Sequence, residues 1–245
     1  VLIFSFEGDF IKDIQMNYYA DKFEYQDNLF YLYRESPVMG DPAYSLVIKD
    51  DKGKTINKYY PLINKSPYIH DCIFRKLDNE ILFAEYMRDS VFSVRSGELT
   101  PKYFIDYKDK SMSKIDRESI LKGTRMALTV LLECKKMAGI EDIFEINDKV
   151  FINNTNVVVP KFTVYDKKTQ EVKTFSYILN DFLFIGFDHP IGQYKDNLIS
   201  IVGQEDFQTA IDDGFKYWQK KGILTAERAK ELRAMIEERF PDRNN

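Results

Sequence analysis

Apolar and polar positions along this chain recur in one order: an apolar run, a polar turn, then a second apolar run. The pairs fall at residues 1–6 and 10–15 around Glu7-Gly8-Asp9, at 44–49 and 55–62 around Gly53, at 90–94 and 99–107 around Gly97, and at 161–165 and 171–178 around 166–170. A glycine or a polar cluster at each turn supplies the backbone freedom that a tight hairpin needs. Two further strands are predicted in each gap: 22–25 and 28–34 joined by Gln26-Asp27, 71–77 and 80–86 joined by Asp78-Asn79, and 142–146 and 149–152 joined by Asn147-Asp148. Gly8 to Gly53 is 45 residues and Gly53 to Gly97 is 44, whereas Gly97 to Thr169 is 72. Four antiparallel strands every ~45 residues is the pattern of a β-propeller blade. The predicted fold is therefore all-β: a propeller of four-stranded antiparallel blades, about four of them in this chain. The chain opens with two outer-type strands, runs through three blades and ends with inner-type strands at 182–187 and 197–202. It could close as four blades, but the expectation is a larger ring whose upstream blades precede Val1.

The long third interval needs an insertion of about 28 residues. Residues 116–138 carry Ile120, Leu121, Met126, Leu128, Leu131 and Leu132, with Gly139 following, and predict one inserted helix with a glycine stop. After Gly203 the pattern becomes helical. Residues 205–221 and 225–240 predict two helices, the second capped by Thr225 and carrying an apolar stripe of Leu232, Met235, Ile236 and Phe240. The predicted organisation is blades over 1–204 and a helical tail over 205–245, the tail packing on the ring or on a partner.

Composition narrows the function classes. The 245 residues hold 35 Lys+Arg against 39 Asp+Glu, a net charge of −4, which argues against a nucleic-acid footprint. Nineteen Phe and 16 Tyr reinforce the β reading, since aromatics suit half-buried pleated surfaces. Two Cys and two His leave little for a Cys/His metal site, and Cys72 and Cys134 are expected as buried free thiols. No apolar run reaches a membrane span, and the N-terminus lacks the basic region and cleavage site of a secretory signal.

Residues 99–107, Leu-Thr-Pro-Lys-Tyr-Phe-Ile-Asp-Tyr, follow Asp89-Ser90-Val91-Phe92-Ser93-Val94. Together they resemble the DTIY…LTPKYVIDFG passage of six-bladed β-propeller proteins abundant in Bacteroidetes. Tyr19-Ala20-Asp21-Lys22-Phe23-Glu24, the hairpin of residues 1–11, Asn180-Asp181 and Asn197-Leu198-Ile199-Ser200 add to the likeness, which covers most of 1–204. The resemblance implies a longer extracytoplasmic protein, in the periplasm or on the outer-membrane surface of a Gram-negative bacterium. It also implies a lipid anchor upstream and no established enzymatic activity. Two positions depart from that pattern: Phe182-Leu183-Phe184 follows Asn180-Asp181 in place of an Asp-Gly-Gly turn, and Tyr107-Lys108 replaces Phe-Gly.

Candidate ligand-binding residues are those beside predicted inner strands. Tyr68, His70 and Asp71 precede one such strand, and Asp188-His189-Pro190 lies at the mouth of another. Each His–Asp neighbour pair has the chemistry for acid–base work or a metal, while a polar rim or turn role is the plainer account. Asp181 suits a loop that bonds neighbouring amides. Arg34, ending an inner strand, suits either a carboxylated ligand or a salt bridge to the next blade. Tyr18-Tyr19, Tyr31/Tyr33 and Tyr59-Tyr60 suit sugar stacking or blade packing alike. The sequence identifies no catalytic residue, cofactor or metal ligand; Ca²⁺ on funnel carboxylates would belong to the enzymatic alternative below. No nucleophile elbow, P-loop, zinc-protease motif or dinucleotide fingerprint is present. The expected function is a non-catalytic envelope module binding a protein partner or a glycan. The alternative is a propeller-fold polysaccharide hydrolase or lyase, or a lactonase, using funnel carboxylates.

Overall fold

A computed structural model describes residues 1–34, 44–61, 72–77, 79–85, 88–121, 125–155, 161–175, 178–179, 186–187, 190–200 and 204–239. The chain divides into two compact units, residues 1–143 with 154–158, and residues 144–153 with 159–245.

The first unit opens with the hairpin β1 (Leu2–Phe4) and β2 (Phe10–Asp13). Two four-stranded antiparallel sheets follow, each a meander in chain order: β3 (Lys22–Gln26), β4 (Leu29–Tyr33), β5 (Tyr44–Asp50), β6 (Thr55–Pro61), then β7 (Cys72–Lys76), β8 (Ile81–Glu85), β9 (Ser90–Arg95), β10 (Glu98–Phe104). A third four-stranded sheet, β11 (Gly139–Ile146), β12 (Lys149–Thr155), β13 (Lys161–Asp166), β14 (Val172–Phe175), keeps the same order. The predicted four-strand repeat is therefore present three times among the described residues. Its turns repeat as well: Gly8, Gly53 and Gly97 have φ of +95°, +80° and +84°, and Gln170 takes the fourth turn at +59°.

Consecutive repeats in the first unit stack face to face. Alternation along β4 and β5 sends Tyr31, Tyr33, Leu46 and Ile48 to one side, where they meet Ile81, Phe83 and Val94 of the next sheet. Tyr33, Tyr60 and Phe74 rings lie 6.1, 6.0 and 5.4 Å from Phe83. Asn57 Nδ2 donates to the Gly97 carbonyl at 2.7 Å, docking the β9–β10 turn on the preceding sheet. On the opposite side of the β3–β6 sheet, Phe30 and Leu32 pack under Ile14 and Met16. Farther on, Arg75 Nε donates to Asp142 Oδ1 at 3.0 Å, and the Ile140 amide bonds the Arg88 carbonyl, so β11 is tied to the β7–β10 sheet. Tyr31 and Tyr33 are fully buried in this stacking and belong to sheet packing rather than to a sugar platform.

The inserted segment departs from expectation. It is two helices, α1 (Lys114–Leu121) and α2 (Ala127–Cys134), not one. Ser113 caps α1, accepting from the Asp116 amide at 3.1 Å while its hydroxyl reaches Asp116 Oδ2 at 2.7 Å, so the helix starts earlier than 116. Met126 is extended and α2 begins anew after it. A glycine at 123 weakens a continuous helix by roughly 1 kcal/mol relative to alanine. The expected stop at Gly139 is also corrected: Lys135 takes the left-handed cap and bonds the Leu131 carbonyl, while Gly139 opens β11.

The second unit carries the short hairpins β15 (Ile178–Leu179) with β16 (Gly186–Phe187) and β17 (Gly192–Tyr194) with β18 (Asn197–Ile199). It ends in the helices α3 (Gln204–Lys220) and α4 (Ala226–Arg239). At the end of α3 the amides of Gly222 and Ile223 return to the carbonyls of Gln219 and Trp218, with Gly222 at φ +71°. This bond pair turns the chain sharply, and only a residue tolerant of positive φ fits there. Thr225 then caps α4, its hydroxyl accepting the Arg228 amide at 3.1 Å. Ile211, Phe215, Leu224, Ala229, Leu232 and Ile236 form the core between the helices. Met235, expected in the apolar stripe, is 38% exposed and lies outside the buried core, which Ala229 joins instead; Phe240 lies outside the described residues.

Candidate functional site

Of the residues predicted to bind a ligand, Tyr68, His70, Asp71, Asp181, Asp188 and His189 lie outside the described residues. The thiols of Cys72 and Cys134 lie outside them as well. Arg34 is described, and only 2% of it is exposed. Its Nε donates to the Tyr19 carbonyl at 2.8 Å and its guanidinium lies 4.3 Å from the Tyr18 ring centroid. That contact sets the ring of Tyr18, which lines an open pocket of about 70 Å³ together with Asn17, Tyr44, Val47, Lys49, Thr55 and Lys58.

The pocket follows from strand alternation. Ser45, Val47 and Lys49 share the face of β5 opposite Leu46 and Ile48, and β4 and β6 pair with β5 on its two edges. Lys49 is therefore inside the sheet although it stands one residue before a turn, and only 6% of it is exposed. Its ammonium donates to the Gly53 carbonyl at 3.2 Å and to Thr55 Oγ1 at 3.1 Å. Burial, and then the charge of Lys58, hold the Lys49 pKa below the ordinary lysine value, while Asp50 opposes them. Lys58 Nζ sits 5.4 Å from the Tyr44 ring centroid, and Tyr18 Oη donates to the Tyr44 carbonyl at 2.6 Å. The lining is thus rich in hydrogen-bond donors and positive, with two tyrosine rings as walls. Such a set can hold a polar or anionic group; it offers no carboxylate as a general base.

The turn below the pocket is fixed by close approach. A Cβ on Gly53 would fall 2.4 Å from the Gln15 carbonyl oxygen, so only glycine lets the β5–β6 turn seat against residues 14–15. That seating places Asn17 and Tyr18 over Lys49. Lys49 escaped the sequence reading because it resembles a solvated turn charge. The available signal was its two-residue spacing from Ser45 and Val47.

A second polar cluster lies at the end of the Pro-Lys-Tyr passage. Arg117 Nη2 contacts both oxygens of Asp89 at 3.1 and 3.2 Å. Burial raises the Asp89 pKa, and Arg117 opposes that rise. Tyr107 Oη lies 2.7 Å from Asn154 Oδ1 and 3.1 Å from the Gly139 carbonyl, and burial pushes its pKa well above the usual tyrosine value. Lys108 holds φ +52°, the conformation a glycine would supply at that position. These contacts tie the start of β9 to α1 and the segment after β10 to β11 and β12, a structural role. Among the described residues, no group of three or more His, Cys, Asp or Glu is placed to hold a metal ion.

Comparison with known proteins places the chain. The family described as "Domain of unknown function (DUF4934)" matches residues 1–240. The chain belongs to the DUF4934 family. No curated protein matches it. Among solved structures, a "putative exported protein" of Bacteroides fragilis NCTC 9343 is similar at a TM-score of 0.60 and 14% identity, over 71% of this chain and 51% of that one. A member of the DUF4221 family from Bacteroides vulgatus is 11% identical over 71% of this chain and 57% of its own, at a TM-score of 0.37. The DUF4934 chain thus spans about half the length of the B. fragilis protein, with which it shares a fold.

Proposed function

We propose that this DUF4934 chain is a non-catalytic binding module of an exported cell-envelope protein, its stacked four-stranded repeats forming blades of a β-propeller. Its ligand is a glycan or a protein partner. The observation that carries the reading is the open, donor-rich pocket around Lys49, a fixed concave site lined by cations, a hydroxyl, an amide and two tyrosine rings. The blade reading draws on the 44–45-residue repeat, the meander order of the three sheets and the face-to-face packing of consecutive repeats. The exported placement draws on the printed name of the B. fragilis protein, and no helix among the described residues is long and apolar enough to cross a membrane. A periplasmic or outer-surface site in a Gram-negative bacterium and an upstream lipid anchor belong to the same proposal.

The test is retention of the purified chain on an array of bacterial and plant polysaccharides and on immobilised envelope proteins, with soluble products assayed in parallel. Retention without new reducing ends, unsaturated sugars or opened lactones is expected. Turnover of a retained polysaccharide would instead establish the hydrolase or lyase alternative.

A further inference from the structure

We propose that the Lys49 pocket is a subsite for the carboxylate of an acidic sugar, with Lys49 and Lys58 as its cationic contacts. This inference rests on the binding-module reading and names the ligand class for the same site.

Lysine is among the residues least often buried, because taking an ammonium out of water is costly unless an anion or several acceptors replace the water. Lys49 has neither in full. Its two acceptors, the Gly53 carbonyl and the Thr55 hydroxyl, are neutral, and an ammonium carries three N–H donors. The third is left for a ligand. The nearest second charge in the lining is another cation, Lys58. Asp50 is the adjoining carboxylate, and its Oδ1 is occupied by the amides of Lys52 and Lys54 in the turn. Two like charges around one hollow, one of them inside a sheet, are offset by Asp50 only in part, and an anion in the hollow would complete the compensation.

The remaining lining groups fit the neighbourhood of a sugar carboxylate better than that of an isolated ion. Thr55 Oγ1 accepts from Lys49, so its own hydrogen is free to donate into the pocket. Asn17, exposed and held at φ +46°, presents a carboxamide with both donor and acceptor capacity, as vicinal hydroxyls require. Tyr18 and Tyr44 provide ring surface at the rim. A water needs roughly 10–15 Å³ of such volume, so about 70 Å³ holds a few waters or one carboxylate, not a pyranose ring. The ring would lie outside, against Asn17 and Lys58, with only its carboxylate inserted.

The test uses the full chain labelled with ¹³Cε-lysine, titrated with D-glucuronate and D-galacturonate and with their methyl esters, N-acetylglutamate and sodium sulfate. The expected result is a saturable shift of the Lys49 Cε resonance with a uronate, at least tenfold weaker for the methyl esters, sulfate and N-acetylglutamate. Lys49→Met should abolish uronate binding, and Lys58→Met, at an exposed side chain, should weaken it several-fold. Equal binding of the methyl esters overturns the carboxylate assignment. Equal or tighter binding of N-acetylglutamate overturns the sugar in favour of an acidic peptide, and equal binding of sulfate reduces the site to a general anion hole. No Lys49 shift with any probe overturns the proposal outright. If no uronate moves the Lys49 resonance but the chain still retains a neutral glycan or an envelope protein on the array, the inference fails while the binding-module reading stands.

Discussion

Replacing Phe83 with alanine removes the ring at the centre of the packing between the β3–β6 and β7–β10 sheets. Phe83 is 0% exposed and is enclosed by Tyr33, Tyr60 and Phe74. Losing a fully buried Phe side chain costs about 1.5–3 kcal/mol in transfer free energy alone. Each aromatic pair lost adds about 0.5–1.5 kcal/mol, and a close-packed sheet interface relaxes only in part around the void. These contributions overlap, and buried Phe→Ala substitutions cost about 3–5 kcal/mol in all, which is the loss expected here. Phe83→Leu keeps most of the volume and should cost roughly 1–1.5 kcal/mol. Urea unfolding followed by the far-ultraviolet β signal measures both variants. With a slope of about 2 kcal/mol/M, the alanine midpoint falls by about 2 M and the leucine midpoint by well under 1 M. The lone tryptophan, Trp218, packs on the α3–α4 core and supplies a separate fluorescence readout of the helical pair. A loss below about 1 kcal/mol in Phe83→Ala at an unchanged slope would refute face-to-face stacking of these two repeats.

Gly53→Ala should cost about 1–2 kcal/mol for its left-handed backbone and more for the Gln15 carbonyl in its way. Gly8→Ala, at φ +95° with nothing within 4 Å, bears the backbone part alone, so equal losses in thermal unfolding would show that the β5–β6 turn does not seat on residue 15. Alkaline stability should depend on Tyr60, whose pKa is pushed up from 10.0 to about 12 chiefly by burial, with Glu85 adding to it. Because the folded state holds this proton more tightly than the unfolded chain, the stabilisation is full below pH 10 and is lost as pH rises through 12. Melting temperatures of Tyr60→Phe should therefore fall less steeply across that window than those of the native chain; parallel curves would contradict the assignment.

Much of the architecture could be read from the residues themselves because it is local. Period-2 alternation, glycine or Asn/Asp at the hairpin turns and a 44–45-residue repeat placed the strands of all three described sheets within a few residues. Thr225 and the helical spacing of Leu232 and Ile236 did the same for the tail. The split of the inserted helix was within reach, since Ser113-x-x-Asp116 is a capping box and glycine interrupts the run at 123. What no local pattern contained was the environment of each charge. Arg34 and Lys49 both stand at strand ends, where a solvated charge is the ordinary outcome. The stacking of residues 14–18 over the β3–β6 sheet buries both instead, one against a tyrosine ring and a carbonyl, the other at the base of a pocket. Secondary structure depends on neighbours in sequence and so can be read along the chain. Burial, and the chemistry it imposes on a lysine, depends on which distant segment covers the strand, and only the tertiary structure decides that.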